Sequence, residues 1–446
     1  MRHPAAFAVL LVGSLAACDS ILDQNPPDAL PTEDAITDAR GARAALAGAY
    51  DGLRGADEFY YAAEFITLGD LSADGVVSVG ISGPFDFADA NELRANNSSV
   101  AGVWEDIYEA LNRVNVILEA VPGLTDLDDA EKNQILGEAH ALRALNLHNL
   151  TKFWGDVPMP LVSPKSVEEA SQITRTPAAE VYAQIRADLA EAETLVAFGP
   201  DSTTRVSTGL VDALQARVAL YEGNWATAVA EADEVLAQGY QLADDFTTLF
   251  DAEGTDTEED ILKLTFTAEQ FAWHGFYYTS SDDGGEGTVG PSQHLIDLYQ
   301  PDDVRGAWSI VGDTEGEASG HKFPTTIGAE DFHVIRLAEV LLIKAEALAR
   351  QNDLVGAVDA YNLIRERAGL DPHTLGNEVN SQAEVLAEID LQRQLELAFE
   401  GDRWPDLVRS GRAVEVMGGI PAYQTLYPIP QTEIDVAPGV SQNPGY

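Results

Sequence analysis

Residues 345–364 read Ala345-Glu346-Ala347-Leu348-Ala349-Arg350-Gln351-Asn352-Asp353-Leu354-Val355-Gly356-Ala357-Val358-Asp359-Ala360-Tyr361-Asn362-Leu363-Ile364. This is a helix, a turn at Asn352-Asp353 and a second helix. Residues 214–236 read the same way, with the turn at Gly223-Asn224. Shifting that segment by 129 positions places Ala216 on Ala345, Trp225 on Leu354, Ala228 on Ala357 and Val229 on Val358. Small residues let two antiparallel helices approach, and a bulky residue follows the turn; tetratricopeptide hairpins share both features. The copies are degenerate and far apart, so they predict helical-hairpin packing rather than a regular array. The fold class follows: mainly α, with tetratricopeptide-like hairpins as scaffold.

Outward from the hairpins, more helices are legible. An Ala-rich run to Leu53 has Thr32 as its cap, Glu33 and Asp34 in its first turn and Gly55 as its end. Val103, Ile107, Leu111, Val114 and Leu118 recur at helical spacing, with Trp104 and Tyr108 beside that face. A long helix is predicted from about Ala130 to Trp154, and Thr176-Pro177 opens another. Ser381 and Glu384 form a capping box for a helix to about Phe399. Two stretches break the pattern as long irregular insertions with few short strands. Residues 57–99 alternate glycines with aromatics around a short strand at 76–79. Residues 243–331 carry a strand at 261–266, then Phe271, Trp273, His274, Phe276, Tyr277 and Tyr278, then Asp282-Asp283-Gly284-Gly285. Insertions of this length are commonly functional.

Of 446 residues, 74 are acidic and 26 are lysine or arginine, a net charge of −48. That balance argues against nucleic acid or an anionic membrane as a partner for the protein surface. It also predicts self-repulsion that salt relieves. The sole cysteine, Cys18, ends Leu15-Ala16-Ala17-Cys18, behind a basic start and an apolar run at 5–11. This resembles a lipobox. Residues 1–17 are then a lipoprotein signal peptide, Cys18 takes the lipid, and 18–31, with Pro26, Pro27 and Pro31, is the tether. Residues 32–446 form a single domain. No later stretch is apolar for membrane-spanning length, so the lipid is the expected contact with the membrane.

Specific strings carry a family resemblance. Glu388-Ile389-Asp390-Leu391-Gln392-Arg393-Gln394-Leu395-Glu396-Leu397-Ala398-Phe399-Glu400-Gly401-Asp402-Arg403-Trp404-Pro405-Asp406-Leu407 closely resembles a signature of the SusD/RagB family. So do Tyr427-Pro428-Ile429-Pro430, Glu138-Ala139-His140-Ala141-Leu142-Arg143-Ala144 leading to Phe153-Trp154-Gly155-Asp156-Val157-Pro158, and Arg336-Leu337-Ala338-Glu339-Val340-Leu341-Leu342. Gln392 departs from the acidic residue often found there. The resemblance implies a lipid-anchored protein on the outer-membrane surface that caps a TonB-dependent (SusC-like) transporter and captures glycan for import. Peptide capture by a related member, and a protein-binding scaffold without small ligand, remain open. Physically, the signature reads as core: Arg393 can pair with Glu396 or Glu400 on one helix, and Arg403 and Trp404 pin the helix end.

Sugar capture needs flat apolar faces and polar groups for hydroxyls. Trp273, Tyr277, Tyr278 and Phe271 are the first candidates; Phe85 and Asn91 are the second. Alternatively, these aromatics only anchor the loops. No Gly-x-Ser-x-Gly elbow, His-Glu-x-x-His helix or phosphate loop is present, so the reading is non-enzymatic and without cofactor. His140 and His148 are eight apart on one helix, and Asp282-Asp283-Gly284-Gly285-Glu286 lacks alternating calcium ligands. No metal site is expected.

Overall fold

The computed structural model describes residues 36–55, 59–81, 83–252 and 254–446. Of the described residues, 54% are helical. Helix α1 (Ala39–Arg54) starts where Asp38 Oδ1 accepts from the Gly41 amide at 2.7 Å, and ends at Gly55, whose φ of 88° turns the chain away. The cap expected at Thr32, the lipid site Cys18 and the tether lie outside the described residues. Helix α2 (Glu64–Leu71) corrects the expectation of an irregular 57–99: all eight of its residues are buried. The helix is only eight residues long and buries Glu64, Thr67 and Asp70 beside its apolar side chains, so no exposed polar face marks it in the sequence.

Helix α3 (Ser98–Ala120) is capped by Asn97, and α4 (Asp129–Trp154) by Asp128. Helix α5 (Ala178–Leu195) follows Pro177. The first repeat is α6 (Thr208–Tyr221) and α7 (Trp225–Ala237); the second is α8 (Leu337–Arg350) and α9 (Leu354–Arg367). Asn352 takes the turn at φ 64°. The small residues do what their spacing predicts. Ala216 and Ala228 of the first hairpin meet Ile343 and Ala347 of the second in one seam, with Trp225 against it. Helix α10 (Gln382–Glu396) is capped by Ser381, while the Glu384 carboxylate reaches the amide of Asn380. It stops three residues earlier than expected, because Phe399 enters φ 67°. Helix α11 is Arg403–Arg409. A continuous core runs from Ile36 to Val440, and no described helix is long and apolar enough to cross a membrane.

Among the described residues, four two-stranded antiparallel ribbons complete the fold. Strand β1 (Val76–Ser78) pairs with β5 (Val289–Pro291), β2 (Val157–Pro158) with β3 (Arg175–Thr176), β4 (Asp260–Leu264) with β8 (Phe332–Arg336), and β6 (Ile310–Val311) with β7 (Ser319–Gly320). Two of these position the site. The β1–β5 ribbon joins the two insertions to each other, and β4–β8 closes the base of the second.

That base is held by buried ions. Arg336, at the end of β8, reaches Glu259 at 2.8 Å, Glu396 at 2.6 Å and Glu400 at 2.7 Å. Arg305 pairs with Asp303 at 2.7 Å and Glu396 at 3.3 Å, Arg367 with Glu259 and Glu396, and Lys322 with Glu400 at 2.5 Å. Four cations thus meet four carboxylates. Burial works to raise the Glu396 carboxyl, but Arg367, Arg336 and Arg305 outweigh it and hold it well below the usual range. Burial lowers Lys322 to about 8 against the pull of Glu400. The expected pairing of Arg393 with Glu396 or Glu400 therefore does not form: those carboxylates serve the insertion, and Arg393 binds Asp406 at 2.5 Å. Gln392 donates to Glu388, which also takes Arg365. Arg403 does pin the helix end, through Asp74 at 2.7 Å and Asp390 at 3.0 Å.

A closing strap comes from residues 427–443. The Tyr427 ring lies 4.8 Å from Phe153, and its hydroxyl donates to the Leu68 carbonyl at 2.9 Å. Trp154 Nε1 donates to the Pro428 carbonyl at 3.0 Å, and Asn443 Nδ2 donates to the carbonyls of Trp154 and Tyr427.

Candidate functional site

Aromatic rings collect where the β1–β5 ribbon joins the insertions. Phe85, on the short helix Pro84–Asp89, meets Tyr277 edge-on at 5.5 Å. Tyr277 stacks with Trp273 at 6.0 Å and 29°, and Trp273 contacts Phe271 at 4.7 Å and Phe276 at 5.6 Å. Such offset and edge contacts suit ring quadrupoles and hold the platform rigid. Backbone contacts fix its place. The Trp273 amide donates to Ala62 at 2.8 Å, and the Ala272 amide to Gly328 at 2.9 Å. Helix His274–Tyr278 lies so close to residues 325–330 that a Cβ on Gly275 would fall 1.8 Å from the Thr325 carbonyl oxygen. At its start, His274 packs against both Phe332 and Phe323; burial lowers its pKa to about 4, so the neutral ring donates through Nε2 to the Tyr61 carbonyl.

Phe271 and Trp273 are half-buried and line a cleft of about 290 Å³ with Asp51, Arg54, Phe266, Glu269 and Gln270. Gln270 Nε2 donates to Asp51 Oδ1 at 2.7 Å. Arg54 donates through Nε to the Thr265 carbonyl at 2.7 Å, approaches Asp51 at 3.7 Å and lies over Phe266 at 5.8 Å. Burial lowers its pKa, and Asp51 opposes the shift. The cleft therefore sets ring faces beside a carboxylate pair and an amide.

The other expected residues fall elsewhere. Tyr277 and Phe85 are buried behind the platform, at 7% and 6% exposure. Tyr278 is buried beyond it, its hydroxyl donating to Asp70 Oδ2 at 2.7 Å; burial raises the Asp70 carboxyl to about 7, opposed by that bond and by the Gly401 amide. Asn91 is a buried turn residue at φ 54° and does not line the cleft. Asp51 and Arg54 were not foreseen. They sit in the last turn of α1, more than 200 residues from Trp273, and nothing local marks them.

A larger cavity of about 1060 Å³ lies on the other side of Arg54, between α1, the start of α4 and residues 197–205. It offers no free ring face comparable to Trp273: Arg205 covers Phe198 at 4.7 Å and is itself paired with Glu138, which takes the Tyr50 hydroxyl. Arg43 is paired with Glu131. Among the described residues no group of His, Cys, Asp and Glu is placed to hold a metal ion.

Fold and site together define a helical-hairpin scaffold that carries an aromatic-lined cleft on two joined insertions. The family model described as "SusD family" matches residues 317–446, and a second, described as "Starch-binding associating with outer membrane", matches residues 61–220. The chain belongs to the SusD/RagB family. SusD-like protein P38 of Formosa agariphila is 26% identical, over 99% of this chain and 98% of its own length. A solved structure named as a laminarin binding SusD-like protein superposes with a TM-score of 0.80 at 24% identity, covering 92% of this chain and all of that one. Surface glycan-binding protein A from Bacteroides fluxus superposes with a TM-score of 0.78 at 24% identity, over 92% of this chain and 99% of that one.

Proposed function

We propose that the protein captures oligosaccharide, without chemical change, in the cleft lined by Phe271 and Trp273. In this reading it is a lipoprotein held by Cys18 on the outer-membrane surface, where it presents its ligand to a TonB-dependent (SusC-like) transporter. The observation that carries the reading is the platform itself. A rigid pair of half-exposed rings meets the apolar face of a pyranose at small entropic loss, while Asp51, Glu269 and Gln270 stand ready for hydroxyls. The family description, with its starch binding and outer-membrane association, and the glycan-binding names of structural neighbours support it.

Calorimetric titration with laminarin and a panel of starch and β-glucan oligosaccharides tests the site. Trp273→Ala should weaken binding by about tenfold, as loss of one stacking ring does at about 0.5–1.5 kcal/mol or more. Its melting temperature should stay close to that of the wild type. A folded Trp273→Ala protein with unaltered affinity would remove the cleft from the function. New reducing ends after incubation would show an enzyme instead.

A further inference from the structure

The charge around the cleft selects among glycans. Residues 243–331 contain twenty acidic residues and three basic ones, Lys263, Arg305 and Lys322. All three bases are buried and already paired: Lys263 with Asp256 and Asp331, Arg305 with Asp303 and Glu396, Lys322 with Glu400. The other insertion, residues 57–99, has one basic residue, Arg94, which is stacked on Phe87 at 4.7 Å. The cations nearest the cleft come from the scaffold and are engaged as well. Arg54 serves Thr265 and Asp51. Arg113 serves the Gly48 carbonyl, Glu109 and Asp51. Among the described residues the charged side chains lining the open cleft are then Asp51 and Arg54, paired with each other and Asp51 also with Arg113, and Glu269, whose carboxylate meets no cation, on a chain whose net charge is −48.

We infer that this cleft takes uncharged oligosaccharide and rejects chains bearing sulfate or carboxylate groups. The inference rests on the glycan reading of the cleft and adds the substrate class. A sulfate or uronate bound here would find no free guanidinium or ammonium, since forked donors of that kind are what anions are held by. It would enter instead a region where carboxylates far outnumber cations, which lowers the local concentration of like-charged ligands. Neutral hydroxyls meet the opposite situation, because the Glu269 carboxylate accepts from them without competition from a cation and Asp51 has oxygen lone pairs to share beside its two arginines.

The test compares laminarin with carboxymethylated laminarin, the same backbone with and without charge, by calorimetry in EDTA at low salt. Neutral polymer should bind at least about tenfold more tightly. The gap should narrow near 1 M salt, where the Debye length is about 3 Å. In the Asp51→Asn, Glu269→Gln double variant the ratio of carboxymethylated to neutral affinity should rise several-fold, even as laminarin itself loses two hydroxyl acceptors. Equal binding of both polymers by the wild type, lost in Trp273→Ala, would overturn the charge selection and keep the site. Laminarin binding that ignores Trp273→Ala, or no binding of either polymer, would overturn the glycan cleft itself.

Discussion

Glu396→Gln isolates what the buried ion cluster contributes. Gln fills the volume of Glu, so no cavity opens, and only charge and hydrogen-bond polarity change. Glu396 is fully buried and touches Arg336 at 2.6 Å, Arg305 at 3.3 Å and also Arg367. Without it three guanidinium groups and Lys322 face only Glu259, Asp303 and Glu400. Removing one partner of a buried pair leaves an uncompensated charge and costs about 3–5 kcal/mol. Against a total stability of about 5–15 kcal/mol this is a large share. Urea unfolding at pH 7 should show that loss, whereas Lys165→Ala, which breaks the exposed pair with Glu119, should change stability by about 0–1 kcal/mol. The pH dependence carries the sign. Glu396 is held below its unfolded pKa, so its contribution is present above the ordinary carboxyl value near 4.5 and is lost as pH falls below it. The gap between wild type and variant should therefore be full at pH 7 and shrink through pH 4 to 3. A variant within about 1 kcal/mol of wild type at pH 7, or a gap that ignores pH, would refute the account of the cluster as the grip on the insertion.

Other perturbations reach other parts of the molecule. Gly275→Ala forces a Cβ onto the Thr325 carbonyl, so helix His274–Tyr278 must lift. Laminarin affinity should drop together with about 1–3 kcal/mol of stability, and wild-type values in both titration and urea melts would contradict the contact. Stability should rise from low salt towards 1 M as self-repulsion at net charge −48 is screened; a flat profile would show that repulsion does not matter to folding. Cys18→Ser should move the protein from the membrane fraction to the soluble one while leaving ligand affinity in solution unchanged. Continued sedimentation with membranes would show that something other than lipid holds it.

The hairpins were legible because their signals are local. Ala216, Ala228, Ala345 and Ala357 are all fully buried, and the turns fall at Gly223-Asn224 and Asn352-Asp353 as their residue types predict. Helix α2 was missed because it is short and its polar residues, Glu64, Thr67 and Asp70, face inward with the apolar ones, so the usual polar-out pattern is absent. Strand β5 was missed because Val289-Gly290-Pro291 has neither alternation nor β-propensity at two of its three positions; its partner across the ribbon supplies the order. The ion cluster was misjudged for a related reason. Helical spacing offered Arg393 to Glu396, but the fold delivers Arg305, Arg336 and Arg367 from distant segments. The site was half legible: composition named the ring cluster, but not which rings keep an open face, nor that α1 would bring Asp51 and Arg54 beside them.

The strap at 427–443 bears on the order of events in synthesis. Helix α2 is wholly buried, and the Leu68 carbonyl and the Ser72 hydroxyl at its end bond to Tyr427, 355 residues beyond Ser72. Contacts that span nearly the whole chain form late, after the loop entropy between their ends has been overcome. A nascent chain lacking the strap leaves the α4 end, with Phe153 and Trp154, open to water. A product truncated before residue 427 therefore stays unlatched, recognisable to proteases by the aromatic surface it fails to cover.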